Sequence, residues 1–146
     1  MAVFIDTNVL LRGLQPSNPS ISIARDAIDR LRESGETMSV AVQNIIEFWV
    51  VATRPLENNS LGLSAEQALS EVAGFRALFE VLPENPLILP EWERLVSLYG
   101  VSGRNAHDAR LVAAMNVNRV DKILTFNIRD VTRFRDIQVL DPNSLP

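Results

Sequence analysis

The chain has 146 residues, 47% of them apolar, with no cysteine and a formal net charge of −4. This length and apolar content predict one folded domain over residues 1–146, and the lack of cysteine excludes disulfides, thiolate metal sites and a cysteine nucleophile. The negative charge argues against a nucleic-acid partner, but all except one of the 14 basic residues are arginine, whose planar guanidinium suits phosphate.

No segment of the sequence predicts membrane insertion or export. No uninterrupted apolar run approaches the roughly 20 residues that a membrane-spanning helix requires. The N-terminal stretch "MAVFIDTN" has no basic head and soon reaches Asp6, so it does not resemble a signal peptide. We therefore expect a cytoplasmic protein without a membrane partner.

Short apolar runs alternate with segments of helical spacing along the chain. Ser20 and Gly35 bracket one helix as N-cap and stop, and Ser64 with Gln67 forms a capping-box pattern. In chain order we predict a strand at 2–6, a short helical turn at 8–16, a helix at 20–35, a strand at 37–42, a helix at 43–54, a loop at 56–62, a helix at 64–78, a strand at 79–83, helices at 90–99 and 106–117, a strand at 122–126, a short helix at 128–134 and a strand at 137–141. This alternation predicts an α/β fold with a parallel sheet covered on both faces.

Polar residues follow the ends of several predicted strands. Asp6 ends the first strand, Glu47 lies in the helix after the second, and Asp108 opens the helix before the strand "KILTF". Asn127 and Asp130 follow that strand directly. Ligands bind beyond the carboxyl ends of the strands in open parallel sheets, so these five residues are candidates for one catalytic site.

Each of these residues also fits a purely structural role. The lone histidine, His107, likewise suits a structural position beside a helix start as well as an acid–base role. The structural alternatives are helix capping for Asp6, a narrow solvated stripe with Gln43 and Arg54 for Glu47, a favourable place in the helix dipole for Asp108, a turn for Asn127 and an ordinary surface charge for Asp130.

The stretch "VQNIIEFWVVATRP", residues 42–55, places Glu47 among large apolar neighbours. An ionised carboxylate in such surroundings costs several kcal/mol unless a partner compensates its charge. A divalent cation would do so, because Mg²⁺ takes carboxylates, waters and phosphate oxygens as ligands. Two such ions about 3.5–4 Å apart can activate a water and hold the leaving oxygen of a phosphodiester.

Four segments together resemble a known family. They are "VFIDTNVLL", "SVAVQNIIEFWVVATRP", "RNAHDARLVAAM" and "ILTFNIRDVTRF". In this order and spacing they resemble the PIN-domain nucleases, and among these the VapC-type toxin ribonucleases of toxin–antitoxin pairs. The resemblance covers nearly the whole chain.

The resemblance implies a metal site of three acids. Asp6, Glu47 and Asp108 match the family's metal-binding acids, for Mg²⁺ or Mn²⁺. The family often has a further aspartate two residues after the threonine that is Thr125 here, and this chain has Asn127 at that position. The nearest carboxylate is Asp130, so the departure leaves open whether one or two metal ions bind.

The resemblance also implies a fold, an activity and partners. The fold is a three-layer α/β/α sandwich around a parallel sheet of about five strands. The activity is metal-dependent endoribonuclease cleavage that leaves a 5′ phosphate and a 3′ hydroxyl, in a homodimer neutralised by an antitoxin. Thr7 and Thr125 are candidates for orienting the acids, and Arg104, Arg110 and Arg129 for contacting RNA phosphates.

Two other functions remain open from the sequence. Because Asn127 removes a usual charge, the chain could be a catalytically weak PIN-fold module that binds RNA or protein. The aspartate after the first strand also suits a phosphohydrolase with an aspartate nucleophile. That class needs a second aspartate where this chain has Asn8, and a lysine near the site, for which Lys122 is the one candidate.

Overall fold

The computed structural model describes residues 2–15, 18–56 and 60–145. Strands and helices alternate through these ranges. In chain order they are β1 Ala2–Ile5, α1 Thr7–Arg12, α2 Ile21–Glu33, β2 Thr37–Ala41, α3 Val42–Ala52, α4 Ala65–Leu78, β3 Glu80–Leu82, α5 Ile88–Tyr99, α6 Asn105–Val117, β4 Lys122–Leu124, α7 Ile128–Val131 and β5 Gln138–Leu140, followed by a 3₁₀ turn at Pro142–Ser144.

The five strands form one parallel sheet in the order β3-β2-β1-β4-β5. Phe4 in the central strand pairs with Ser39 of β2 on one side and Ile123 of β4 on the other. The chain builds outward from β1 to β3 and then crosses to the opposite side of β1. Such a reversal of strand order opens a crevice at the carboxyl ends of the central strands, where open α/β sheets bind their ligands.

Helices cover both faces of the sheet and enclose one apolar core on each. Successive residues of β1 point to opposite faces, so Phe4 joins the core under α5, α6 and α7 while Val3 and Ile5 join the core under α1, α2 and α3. Phe48 and Phe75, on α3 and α4, make an edge-to-face contact with ring centroids 4.8 Å apart. The predicted three-layer α/β/α sandwich with a five-stranded parallel sheet is confirmed.

Several element ends differ from the predicted bounds, and two of these differences have a clear physical reason. Helix α3 stops at Ala52 and not at Arg54, because Pro55 has no N–H and disfavours helical geometry in the residue before it. Strand β4 stops at Leu124, and Thr125 turns its hydroxyl to Asp6. The Ser64–Gln67 capping box is present as predicted, with reciprocal bonds of 3.1 and 2.9 Å.

Ser20 occupies the N-cap position of α2 without making a side-chain cap bond; Asn18 Oδ1 instead accepts a hydrogen bond from the Ser20 backbone N–H at 2.9 Å. Gly35 follows the helix with φ +80°, a conformation that glycine adopts without strain, which fits its predicted role as a stop.

Within the predicted loop at 56–62, residues 57–59 lie outside the described ranges. No helix in the described ranges combines the length and apolarity needed to cross a bilayer.

Asn44 ties the start of α3 to α1. Its side chain is fully buried, Oδ1 accepts a hydrogen bond from the Ala41 backbone N–H at 2.8 Å, and Nδ2 donates to Thr7 Oγ1 at 3.1 Å. We expect Asn44→Ala to lower the free energy of unfolding by about 1–3 kcal/mol, because a buried N–H loses its partner. Equilibrium urea denaturation measures this change.

The matched control for Asn44 is Ser70→Ala, at an exposed position of α4 with similar loss of a small polar group. That substitution should stay within about 0.5 kcal/mol of the parent chain. Equal stability of the Asn44→Ala variant and the control would contradict the structural role of the Asn44 amide.

Candidate active site

A cleft of about 740 Å³ opens at the carboxyl ends of β1, β2 and β4. Helix α3 forms one wall, the first turn of α6 forms the other, and the segment after β4 lies at one end. All five predicted catalytic residues line it: Asp6, Glu47, Asp108, Asn127 and Asp130. We call this surface the acidic cleft.

Asp6 stands where the central strand ends and α1 begins, so it serves as a helix cap and a cleft acid at once. Oδ1 accepts the Thr7 backbone N–H at 2.8 Å, as an N-cap does. Oδ2 accepts the Thr125 hydroxyl at 2.8 Å and the Asn8 amide at 3.2 Å. Desolvation raises the pKa of Asp6, the hydrogen bonds from Thr125 and Thr7 oppose that rise, and the charge of Glu47 adds to it.

Thr125 and Asn8 join the end of β4 to the start of α1. The Thr125 hydroxyl, besides donating to Asp6, accepts hydrogen bonds from Asn8 Nδ2 at 3.1 Å and from the Asn127 backbone N–H at 3.0 Å. Asn8 Oδ1 accepts the Phe126 backbone N–H at 3.0 Å. This network holds Asp6 in place and sets where the chain carries Asn127 into the cleft.

Glu47 is held by neutral donors on both of its carboxylate oxygens. Thr7 Oγ1 donates to Oε1 at 2.9 Å, and Gln43 Nε2 donates to Oε2 at 3.3 Å. The buried amide of Asn44 steadies Thr7 in turn. Ile46 and Val50, next to Glu47 on α3, are 58% and 46% exposed along the cleft wall. The apolar neighbours in the sequence therefore form a surface beside the acid and leave its oxygens on the cleft.

Asp108 lies in the first turn of α6 and faces the other acids across the cleft. Its partial burial, followed by the negative charges of Asp130, Asp6 and Glu47, raises the pKa of Asp108 to about 6. Arg133 opposes this rise only weakly. In the described ranges no Lys or Arg forms an ion pair with Asp6, Glu47 or Asp108.

The donor set of the acidic cleft suits a hard divalent cation. It offers carboxylate oxygens that repel one another and lack cationic partners, with no thiol or imidazole required. In the described part of the chain, no three His, Cys, Asp or Glu side chains already stand as a closed group around one point. An ion bound through its waters fits this spacing better than one gripped directly by all three acids, since Mg²⁺ usually keeps several waters in protein sites.

The arginines predicted to contact phosphate differ in their positions. Arg110 lines the acidic cleft, but its guanidinium already bonds to Gln43 and to Glu84. Arg104 and Arg129 are not among the residues that line it. His107 lies on the exposed rim.

Sequence reasoning missed the roles of several neutral or paired residues. Gln43 and Arg54 were noted only as members of one helical stripe with Glu47, although all three line the acidic cleft. The i, i+4 spacing of Gln43 and Glu47 was the available signal for their contact. Nothing in the sequence marks Glu84, whose carboxylate enters the cleft from the loop after β3 and pairs with Arg110 at 3.1 Å.

A sequence model of the PIN domain matches residues 3–139. No curated protein matches the chain significantly in sequence. Among solved structures, a chain of VapBC2 from Rickettsia felis bound to a promoter DNA fragment superposes with a TM-score of 0.71 at 14% identity, covering 97% of this chain and 98% of that one.

Two further structures agree with this match. A chain of VapBC-1 from nontypeable Haemophilus influenzae gives a TM-score of 0.70 at 16% identity, covering 99% and 100% of the two chains. VapC20 of Mycobacterium tuberculosis, described as a sarcin-ricin loop cleaving toxin, gives 0.64 at 16% identity, covering 90% and 95%. At these identities the superpositions show a shared fold.

Partial burial of Asp108, together with repulsion from the other acids of the cleft, predicts that Asp108 destabilises the metal-free protein. The pKa of Asp108, about 6, exceeds its ordinary value of 3.8, so the native state binds this proton more tightly than the unfolded chain does. The resulting penalty is absent below about pH 3.8 and complete above about pH 6. We expect Asp108→Asn to raise the Tm well above pH 6, with a gain that shrinks as the pH falls.

Thermal unfolding in the presence of a chelator measures this gain. Asp121→Asn is the matched control, because its side chain is exposed. A Tm of Asp108→Asn at or below that of the parent chain well above pH 6 would contradict the crowding of charge in the cleft.

Proposed function

The chain belongs to the PIN-domain family, and from that premise we propose that it is a metal-dependent endoribonuclease and the toxin of a toxin–antitoxin pair. The observation that carries the proposal is the acidic cleft. Three acids from three separate elements, Asp6, Glu47 and Asp108, line one opening at the switch point of a parallel sheet. Their charges lack cationic partners among the described residues.

In this proposal Asp6, Glu47 and Asp108 hold Mg²⁺ or Mn²⁺, directly or through water. When bound, the cation supplies Lewis-acid activation of a water and of the phosphodiester, at neutral pH. The protein's own part is to keep the acids in position. Thr125 and Thr7 do this for Asp6 and Glu47 by donating hydrogen bonds to the carboxylate oxygens.

Asn127 and Asp130 complete the catalytic set in supporting roles. Asn127 offers an amide oxygen where the resembling family often has a carboxylate, and its side chain is exposed at the cleft. Asp130 adds a negative charge that acts on Asp108. Asp130 and the Asn127 amide offer a second cation fewer carboxylates than the three acids offer the first, so we propose that the first site is the tighter one.

RNA enters in this proposal as a single strand that follows helix α3. Arg54 lines the cleft two residues past the C-terminal end of α3, the helix that carries Glu47. It forms no ion pair with any described residue. Ile46 and Val50 lie on either side of Glu47 in the sequence of α3, and both offer an apolar surface to unpaired bases. Arg54 then holds a phosphate beside the one that is cut.

The partners in the proposal come from the structural matches. Several of the matching structures are described as toxin–antitoxin complexes, among them one from Klebsiella pneumoniae, and VapC20 is described as cleaving an RNA loop. On this basis we propose that the chain acts in the cytoplasm as a homodimer, is neutralised by an antitoxin protein and cleaves RNA. A small neighbouring gene for a protein with a DNA-binding N-terminus would support the antitoxin.

A catalytically weak binding module is the second candidate. Asn127 favours it, because the cleft carries one carboxylate fewer than the pattern of the resembling nucleases. Titration with Mn²⁺ by calorimetry separates the two candidates. Measurable binding that Asp6→Asn removes supports the nuclease, and the absence of binding supports the module.

The first prediction from this proposal concerns Asp6. We expect Asp6→Asn to lower the rate of RNA cleavage by more than about a hundredfold, since even outer partners of metal ligands typically cost ten- to a hundredfold. The fold should persist, because asparagine also caps helices. Cleavage of a fluorescently labelled RNA with Mg²⁺ and with EDTA measures the rate.

The control for Asp6 is again Asp121→Asn, which leaves the cleft unchanged. A correctly folded Asp6→Asn variant that cuts RNA as fast as this control would rule out the metal role of Asp6.

A second prediction concerns the path of the RNA. We expect Arg54→Ala to weaken binding of single-stranded RNA about three- to tenfold, as for loss of one exposed charged contact worth about 1 kcal/mol. The slope of log affinity against log salt should fall by about 0.7, the value for one lost single-strand phosphate contact. Fluorescence anisotropy with labelled RNA, in the Asp6→Asn background, measures binding without cleavage.

Arg104→Ala is the matched comparison, because Arg104 is exposed and lies outside the cleft lining. A larger loss for Arg104→Ala than for Arg54→Ala would place the RNA along α6 and refute the path along α3.

A further inference from the structure

Gln43 makes three polar contacts in the acidic cleft, one with its own helix α3 and two with α6. Its Nε2 donates to Glu47 Oε2 at 3.3 Å and to the His107 carbonyl oxygen at 3.0 Å. Its Oε1 accepts from Arg110 Nη1 at 3.0 Å. Arg110 Nη2 in turn donates to both carboxylate oxygens of Glu84 at 3.1 Å. One amide therefore links α3, α6 and the loop after β3.

The partners of Gln43 determine which way its amide points. The guanidinium of Arg110 can only donate, so it must face the amide oxygen. Glu47 and the His107 carbonyl can only accept, so they must face the amide nitrogen. The reversed amide would place oxygen against oxygen at Glu47 and donor against donor at Arg110. The surroundings thus fix a single orientation.

We propose that Gln43 is the positioning residue for Glu47, and that it sets the separation of Glu47 from Asp108 across the cleft; this proposal rests on the metal role given to those acids above. His107 and Arg110 flank Asp108 on α6, and Glu47 lies one turn beyond Gln43 on α3. The side chain of Gln43 bonds to both flanking residues and to Glu47. It therefore connects helices α3 and α6 beside the acids.

The neutrality of Gln43 matters as much as its geometry. An arginine bonded directly to Glu47 would compensate the charge that a cation needs. Here Glu84 compensates the positive charge of Arg110. The neutral amide of Gln43 orients Glu47 through a hydrogen bond and adds no charge. Thr7, another neutral donor, fixes the second oxygen of the same carboxylate. Both carboxylate oxygens of Glu47 are therefore held by neutral donors.

The decisive variant is Gln43→Met, which keeps the length and shape of the side chain and removes its polar atoms. We expect its Kd for Mn²⁺, measured by titration calorimetry, to rise about ten- to a hundredfold, the range for loss of a partner that orients a metal ligand. Gln138→Met, on the exposed side of β5, is the matched control and should bind Mn²⁺ like the parent chain. An unchanged Kd in Gln43→Met overturns the positioning role.

A double-mutant cycle tests whether Arg110 acts through Gln43. Arg110→Met should weaken Mn²⁺ binding in the parent chain, because the amide loses the contact that orients it. It should cause little further loss in the Gln43→Met background. Additive losses from the two substitutions would show that Arg110 acts independently, and would overturn the linked arrangement.

A metal-free measurement separates this proposal from the proposed function. Hydrogen–deuterium exchange of the amides in the first turn of α6 should be faster in Gln43→Met than in Gln138→Met, because the hydrogen bonds between α3 and α6 are lost. Equal exchange in the two variants would contradict the role of Gln43 in connecting α3 to α6. If the parent chain itself binds no Mn²⁺, the metal role of the cleft fails, and the exchange result still decides whether Gln43 holds the two walls together.

Discussion

The hydrogen bond from the Thr125 hydroxyl to Asp6, 2.8 Å long, is the contact on which the acidic cleft depends. It joins the ends of β1 and β4, the two strands on either side of the point where the strand order reverses. Asp6 also caps α1, so the same carboxylate fixes the direction of the helix that carries Thr7 and Asn8. Through Thr7 the position of Glu47 follows as well.

The cleft concentrates negative charge and holds it with neutral groups. Hydroxyl and amide donors bond to the carboxylates without compensating their charge, whereas the guanidinium of Arg110 in the cleft lining bonds to Glu84. Partial burial of Asp108, followed by repulsion from Asp130, Asp6 and Glu47, raises the pKa of Asp108 to about 6. Under the proposed function, a bound cation would offset the cost of holding these charges together.

Much of the fold could be predicted because it depends on local patterns. The apolar strands, the Ser64–Gln67 capping box and the stop at Gly35 are each encoded within a few residues, and Gly35 has the positive φ expected of a glycine there. The cleft acids could also be located, because strand ends in a parallel sheet meet at one edge. Their grouping in one cleft agrees with that expectation, while their catalytic roles stay a prediction.

The resemblance pointed to Thr7 and Thr125 as partners of the acids, but the contacts that join the walls of the cleft could not be predicted, because they depend on how distant segments pack. Gln43 and the carbonyl of His107 are 64 residues apart in sequence, and Arg110 and Glu84 come from different elements. Neither contact has a signature in the local sequence pattern. The same holds for Asn44, which reads as an ordinary polar residue near a helix start and proves to be fully buried against Thr7.

The separation of Thr125 from Asp6 along the chain, 119 residues, has a consequence during synthesis. A nascent chain interrupted before β4 contains all three acids and Asn8, but it lacks the strand that pairs beside β1 and carries the neighbouring Thr125. Non-local strand pairing of this kind forms late, after the intervening loops have closed. A polypeptide that has not yet reached β4 therefore lacks the hydroxyl that bonds to Asp6, and the complete arrangement of the cleft follows the closure of the sheet on this side of β1.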